Sequence, residues 1–376
     1  MKFSFKPSPN YRDSKSTTEI MLDLTLCLCA VLVFAAVYYA SAYGIAYGVR
    51  VILMALIAVV TAMATEAVFY KVTGSKDIKH DVLRSYGWVT ALIMVLISKI
   101  SVSYYAMIIS VIVAIVFGKL VFGGFGQNIF NPAAFGEAII MNSFAASTSA
   151  DFVTGATPLT TIKSSGWAAS SDVLSGVVSK FGGFGSFLLG GYASVIGSTC
   201  AIVIILCFLF LAWQKDIDWK IPLVYLVSVF VMSLIVGLIK GSGFTFALIN
   251  LLCGGVLFCG VFMLTDPVTN PVSIPGRVVF AFCAACLTLI IRWKSNLPDG
   301  ALYSILLMNM LTPAIDKAFD GSQIKDEKKI AKRVYIICAI VAVITLAIGG
   351  TMTNSSDSAA VTSEETVVCV EEGGQL

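Results

Sequence analysis

Residues 21–43 read MLDLTLCLCAVLVFAAVYYASAY, with Asp23 the one charged side chain in the run. A helix of about 20 apolar residues crosses a bilayer's hydrocarbon layer, so this stretch reads as a membrane span. Comparable segments follow at 46–70, 83–98, 102–122, 131–145, 187–212, 221–239, 245–264, 277–292, 300–316 and 333–350. The 376-residue chain is 58% hydrophobic and 12% charged, with mean hydropathy +0.91. Soluble domains carry roughly 25% charged residues, so a water-soluble globule is excluded. The expected fold is all-α: a polytopic integral membrane protein of 10–11 transmembrane helices.

Residues 1–20 are polar and hold Lys2, Lys6, Arg12 and Lys15, without the short apolar core of a cleavable signal peptide. The transmembrane domain is 21–350, interrupted by a Ser/Thr/Gly-rich loop at 146–186. Residues 351–376 form a tail made acidic by Glu364, Glu365, Glu371 and Glu372. Lys and Arg concentrate on cytoplasmic loops of membrane proteins. With a cytoplasmic N-terminus and eleven crossings, eighteen of the 25 Lys and Arg residues fall inside, six of them between Lys317 and Arg333. The 146–186 loop is then on the outer face. A fifth segment that dipped and returned would place the 317–333 cluster outside, against the rule.

Of ten cysteines, only Cys369 lies outside the apolar runs, where Cys behaves as a small hydrophobe. Cys283 and Cys286 form a C-x-x-C with no second pair of matching spacing, so small apolar residues one helical turn apart suffice to account for them. His80 is the sole histidine, which rules out bis-histidine haem within the bundle. Nothing suggests a nucleic-acid partner. A short echo links Gly123-Gly124-Phe125…Ile129-Phe130-Asn131 to Gly241-Ser242-Gly243-Phe244…Leu248-Ile249-Asn250. It would join segments five and eight as inverted repeats of the kind that build broken-helix transporters.

The polar loop contains Asp151-Phe152-Val153-Thr154-Gly155-Ala156-Thr157-Pro158-Leu159. Taken alone, Thr157 is a hydroxyl on a slim, open turn, and either a modified residue or an inert one in a Ser/Thr-rich loop. The string Asp151 to Thr157 resembles the D-x-x-[ST]-G-A-T flavinylation motif. Three further passages resemble D subunits of the Rnf complex, the membrane-bound ferredoxin:NAD⁺ oxidoreductase. They are Ser8-Pro9-Asn10…Ser16-Thr17-Thr18-Glu19-Ile20-Met21, Phe125-Gly126-Gln127-Asn128-Ile129-Phe130-Asn131-Pro132-Ala133-Ala134-Phe135-Gly136, and Pro298-Asp299-Gly300…Leu306-Leu307-Met308-Asn309…Thr312-Pro313…Asp316. The resemblance covers about residues 1–320 and extends to the B subunit of the sodium-pumping NADH:quinone reductase.

That resemblance implies FMN esterified through its phosphate to Thr157. Asp151, Thr154, Gly155 and Ala156 would be the recognition residues for a flavin transferase. It further implies a second, non-covalent flavin in the bundle, partner iron–sulfur and flavin subunits, a bacterial cell membrane, and Na⁺ or H⁺ as the transported ion.

Three acids sit in or at the ends of apolar spans. Glu66 and Glu137 are candidates for an ion path or for partnering a bound flavin, because a mid-bilayer charge is expensive and marks function; hydrogen-bonded neutral acids are the alternative. Asp266, in Thr265-Asp266-Pro267, reads as a third candidate or as a turn. Pro132, Pro267, Pro271 and Pro275 mark broken segments or kinks. The resemblance thus implies a redox pump subunit, inactive without its partners. The alternative is a channel or solute transporter of urea-channel-like architecture, for which a flavinylation motif has no use.

Overall fold

A computed structural model describes residues 15–144, 158–164, 167, 171–189, 192, 195–295, 300–320 and 327–352, and these form helices and connecting turns. The first five helices are α1 (Thr17–Tyr43), α2 (Ile45–Val72), α3 (Ile78–Ser85), α4 (Gly87–Ile97) and α5 (Tyr104–Leu120). Next come α6 (Pro132–Ser143), α7 (Pro158–Ser164), α8 (Ser171–Lys180), α9 (Gly183–Leu189) and α10 (Ala201–Trp213). The chain continues through α11 (Lys220–Ile239), α12 (Gly243–Leu252), α13 (Val256–Met263), α14 (Ile274–Lys294), α15 (Ala301–Ala318) and α16 (Glu327–Gly350).

Each predicted span contains helix. Among the described residues, α1, α2, α11, α14 and α16 are each long and apolar enough to cross a membrane alone, and the bent pair α12–α13 raises the number to six. The other segments are shorter or more polar. The predicted span 187–212 is two helices, α9 and α10, separated by a 3₁₀ turn at Ile196–Ser198. Its sequence holds Gly190, Gly191 and Gly197, which weaken helix interiors. At Gly197 a Cβ would stand 2.9 Å from Leu96 O. The loop expected at 146–186 contains helix too. In α8 the buried Leu174, Val177 and Val178 follow i, i+3, i+4 spacing, which gives it one apolar face.

Local sequence explains the helix starts. Ser16 accepts from Glu19 N (3.3 Å) while Glu19 Oε2 accepts from Ser16 N (3.0 Å), a reciprocal cap on α1. Asn131 Oδ1 accepts from Ala133 N and Ala134 N, and Pro132 opens α6.

Several helices stop inside the bundle. At 1.5 Å per residue, the 11 residues of α4 span about 16 Å, roughly half the hydrocarbon layer. Helix ends leave carbonyls unpaired, and no water is available there to take them. Ser98 O, just past α4, accepts from Ile196 N. At the 60° break after α12, Arg292 Nη1 donates to Asn250 O (2.6 Å) and Nη2 to Cys253 O (3.3 Å), while Tyr192 OH donates to Leu252 O. Arg292 is fully buried, and its fork of donors suits a cluster of carbonyls.

Two passages share one local design. Helix α5 ends in a π turn at Val116–Leu120, a loop follows, and α6 begins with Pro132 behind its cap. Helix α13 ends in a π turn at Cys259–Met263, a loop follows, and α14 begins behind Ser273 with Pro275 in its first turn. The two loops meet where Asn131 Nδ2 donates to Met263 O. The Gly-rich strings at 123–131 and 241–250 are not equivalent: Asn131 caps a helix start, whereas Asn250 lies inside α12.

Replacing Arg292 with Met removes both carbonyl contacts while keeping bulk. The expected loss is on the order of 3 kcal/mol, read as a lower thermal unfolding temperature in detergent. An unchanged temperature would show that the break does not rely on Arg292.

Candidate functional site

The two π turns and their loops converge on one pocket at the end of the bundle where α1 begins. It encloses about 830 Å³ of space not filled by atoms, its open mouth included. Tyr86, Phe125 and Phe262 supply aromatic walls; Lys119, Asn128, Asn131 and Asp266 supply polar groups; Asp216 stands at the rim.

Lys119 sits in the π turn of α5, a local widening that redirects side chains and recurs at functional sites. Its side chain is 3% exposed, and its ammonium donates to Glu66 Oε1 at 2.9 Å and to Ser85 O. Ser85 Oγ also donates to Glu66 Oε1, at 2.7 Å. Glu66 is fully buried, and its Oε2 has no hydrogen-bond partner among the described residues. The carboxylate lies against the N-terminus of α4, whose dipole favours negative charge. Gly87 makes the space: a Cβ there would stand 2.6 Å from each carboxylate oxygen.

Tyr86 occupies the left-handed region at φ 54°, between α3 and α4. That conformation costs a non-glycine residue about 1–3 kcal/mol and is often found where function fixes a side chain. Thr18 Oγ1 holds its hydroxyl at 2.8 Å, and its ring meets Phe125 edge-on at 5.0 Å. Asp266 Oδ1 accepts from Val268 N, so the turn reading holds; the same residue also lines the pocket. At the rim, Lys15 bridges Asp216 Oδ1 (2.7 Å) and Asp23 Oδ2 (3.1 Å). Burial raises the Asp216 carboxyl above the usual carboxylate range, more than Lys15 pulls it back.

Of the predicted acids, Glu66 thus pairs with Lys119, and Asp266 lines the same pocket as that lysine. Glu137 is elsewhere, 1% exposed on α6, against Ser98 Oγ at the end of α4. Ser98 Oγ also faces Met94 O, and a hydroxyl has a single proton. Thr157, Asp151, Thr154, Gly155 and Ala156 lie outside the described residues.

Sequence reading did not single out Lys119, Tyr86 or Asn128. For Lys119 a signal existed, since it is the lone charge within 102–122. For Tyr86 none did, because a strained backbone leaves no mark in composition.

The model of the NQR2, RnfD, RnfE family matches residues 4–325. The chain belongs to that family. Its relatives include the D subunit of the proton-translocating ferredoxin:NAD⁺ oxidoreductase complex of Clostridium ljungdahlii, 32% identical over 84% of this chain and 94% of that protein. Another is the D subunit of the Na⁺-translocating ferredoxin:NAD⁺ oxidoreductase complex of Acetobacterium woodii, 29% identical over 88% of this chain and 98% of that protein. In this member of the NQR2, RnfD, RnfE family the matched region takes in every helix that lines the pocket.

The pocket chemistry fits an isoalloxazine ring. Aromatic walls suit its flat body, amide and ammonium donors suit its carbonyl edge, and the Asp266 carboxylate suits its imide N–H. Gly87→Ala is expected to cost about 1–3 kcal/mol through overpacking against Glu66. Glu66→Ala in the same chain should relieve much of that cost. Strictly additive losses in detergent melts would show that the two residues do not share the space.

Proposed function

We propose that this chain is the D subunit of an Rnf-type redox pump, and that it carries FMN covalently on Thr157. Its membership of the NQR2, RnfD, RnfE family together with the Asp151–Thr157 string carries the reading. Asp151, Thr154, Gly155 and Ala156 present Thr157 to the flavin transferase, the two small residues keeping the chain slim. Pro158 opens α7 directly after Thr157, and α8 packs on α12. These contacts support an attachment loop tethered to the bundle. By the charge rule the N-terminus is cytoplasmic in a bacterial cell membrane, and the loop faces outward.

The pocket beside Lys119 holds the second, non-covalent flavin near the inner face. The two flavins supply the electron chemistry; the protein supplies position and electrostatics. Lys119, Asn128 and Asn131 orient the ring edge, Tyr86 and Phe125 flank it, and Lys15 with Asp216 closes the rim. Electrons enter from partner iron–sulfur and flavin subunits that oxidise ferredoxin, and leave towards NAD⁺. Glu137, a buried acid where α4 breaks, is the candidate for the Na⁺ or H⁺ path.

Co-expressed with a flavin transferase, the denatured wild-type chain should fluoresce in a gel and Thr157→Ala should be dark. A dark wild type would remove the covalent site. For the pocket, Thr90→Phe fills the cavity without removing any hydrogen bond among those described. It should abolish acid-extractable flavin and leave the covalent signal intact; retained extractable flavin would place the second flavin elsewhere.

A further inference from the structure

We propose that Lys119 is the charge that sets the reduction potential of the flavin in the pocket, with Glu66 as the positioning residue that limits it. The proposal rests on the reading above that a flavin occupies this pocket.

A buried ion pair rarely exists for stability, since replacing both charges by apolar groups of similar size is often neutral or favourable. The Glu66–Lys119 pair therefore needs another reason, and its place at the pocket wall supplies one. An ammonium has three donors. Two are used on Glu66 Oε1 and Ser85 O, and the third has no protein acceptor among the described residues. The Lys119 side chain is 3% exposed and lines the pocket, and its amine stands 5.8 Å from the centre of the Phe125 ring. Its free N–H thus has only the pocket to serve.

The other charges nearby are arranged consistently. Glu66 is not among the lining residues, so of the pair Lys119 is the member nearer the occupant. Asp266 lines the opposite loop, and Asp216 is tied to Lys15. A flavin held here and reduced by a one-electron donor, such as a partner's iron–sulfur cluster, would gain negative charge on its carbonyl edge. A cation at hydrogen-bond distance stabilises that charge strongly where the dielectric is low. Glu66, behind the amine, offsets part of this pull.

The two residues therefore have opposite effects, which a packing role would not produce. The test is a spectroscopic redox titration of the purified full chain carrying Thr157→Ala, so that only the extractable flavin reports, with dithionite as reductant. The isosteric Glu66→Gln should raise the first-electron midpoint by about tenfold in equilibrium constant, or about 59 mV. Glu66→Gln with Lys119→Met, which removes both charges of the pair, should bring it below the parent value.

Shifts of opposite sign in variants that melt normally support the assignment. Unchanged midpoints with flavin retained would overturn it while leaving the flavin site standing. A parent chain without extractable flavin would overturn both. If the double variant fails to fold, the direction of the Glu66→Gln shift decides alone.

Discussion

In hydrocarbon every peptide N–H and C=O must find a partner within the protein. This chain stops α4 and α12 partway across, so the rest of the bundle is arranged to receive what they leave unpaired. The Ile196 amide closes the carbonyl at Ser98, while Tyr192 and the fully buried Arg292 close those after α12. Each of these partners comes from a distant part of the sequence. The turn at Ile196 and the last turn of α14 are therefore fixed by the breaks they serve.

Interrupted helices also create polar space. The π turns at the ends of α5 and α13 bring two loops face to face, and Asn131 ties them by donating to Met263 O. With its amide oriented to satisfy both neighbours, Asn309 of α15 donates to Ile305 O and accepts from Asn131 N. Thr312 Oγ1, one turn on, reaches Thr269 O. One face of α15 thus holds both loops, which keeps the pocket walls rigid and its polar groups aimed inward. A site assembled in this way can hold a flat, polar-edged ring at fixed distances from fixed charges.

The membrane class and the helix content were legible because apolar runs of bilayer length are hard to keep in any water-soluble chain. The start of α6 was legible as well, through Asn131 with Pro132, whereas α1 begins at Thr17, ahead of the span expected from residue 21. Half-length helices were not, since a bend inside an apolar run leaves hydropathy unchanged. Only Gly254 and Gly255 hinted at the break after α12, and glycine pairs are common in membrane segments. Helix α8 was masked by a Ser/Thr-rich surrounding, although Leu174, Val177 and Val178 carry the spacing. Glu66 and Asp266 were visible as costly charges in apolar surroundings. The pairing of Glu66 with Lys119 was not legible, because a contact across 53 positions has no local pattern. Thr157 was legible only through family resemblance.

Electron flow through this subunit and ion movement across the membrane are, on the reading proposed, one process. The most direct measurement reconstitutes the whole complex in liposomes and follows NADH formation from reduced ferredoxin alongside Na⁺ uptake and internal pH, with the wild-type chain or its Thr157→Ala variant. Simultaneous loss of electron transfer and of ion movement in the variant is the predicted result. Ion movement that persists without electron transfer would contradict it and favour a channel.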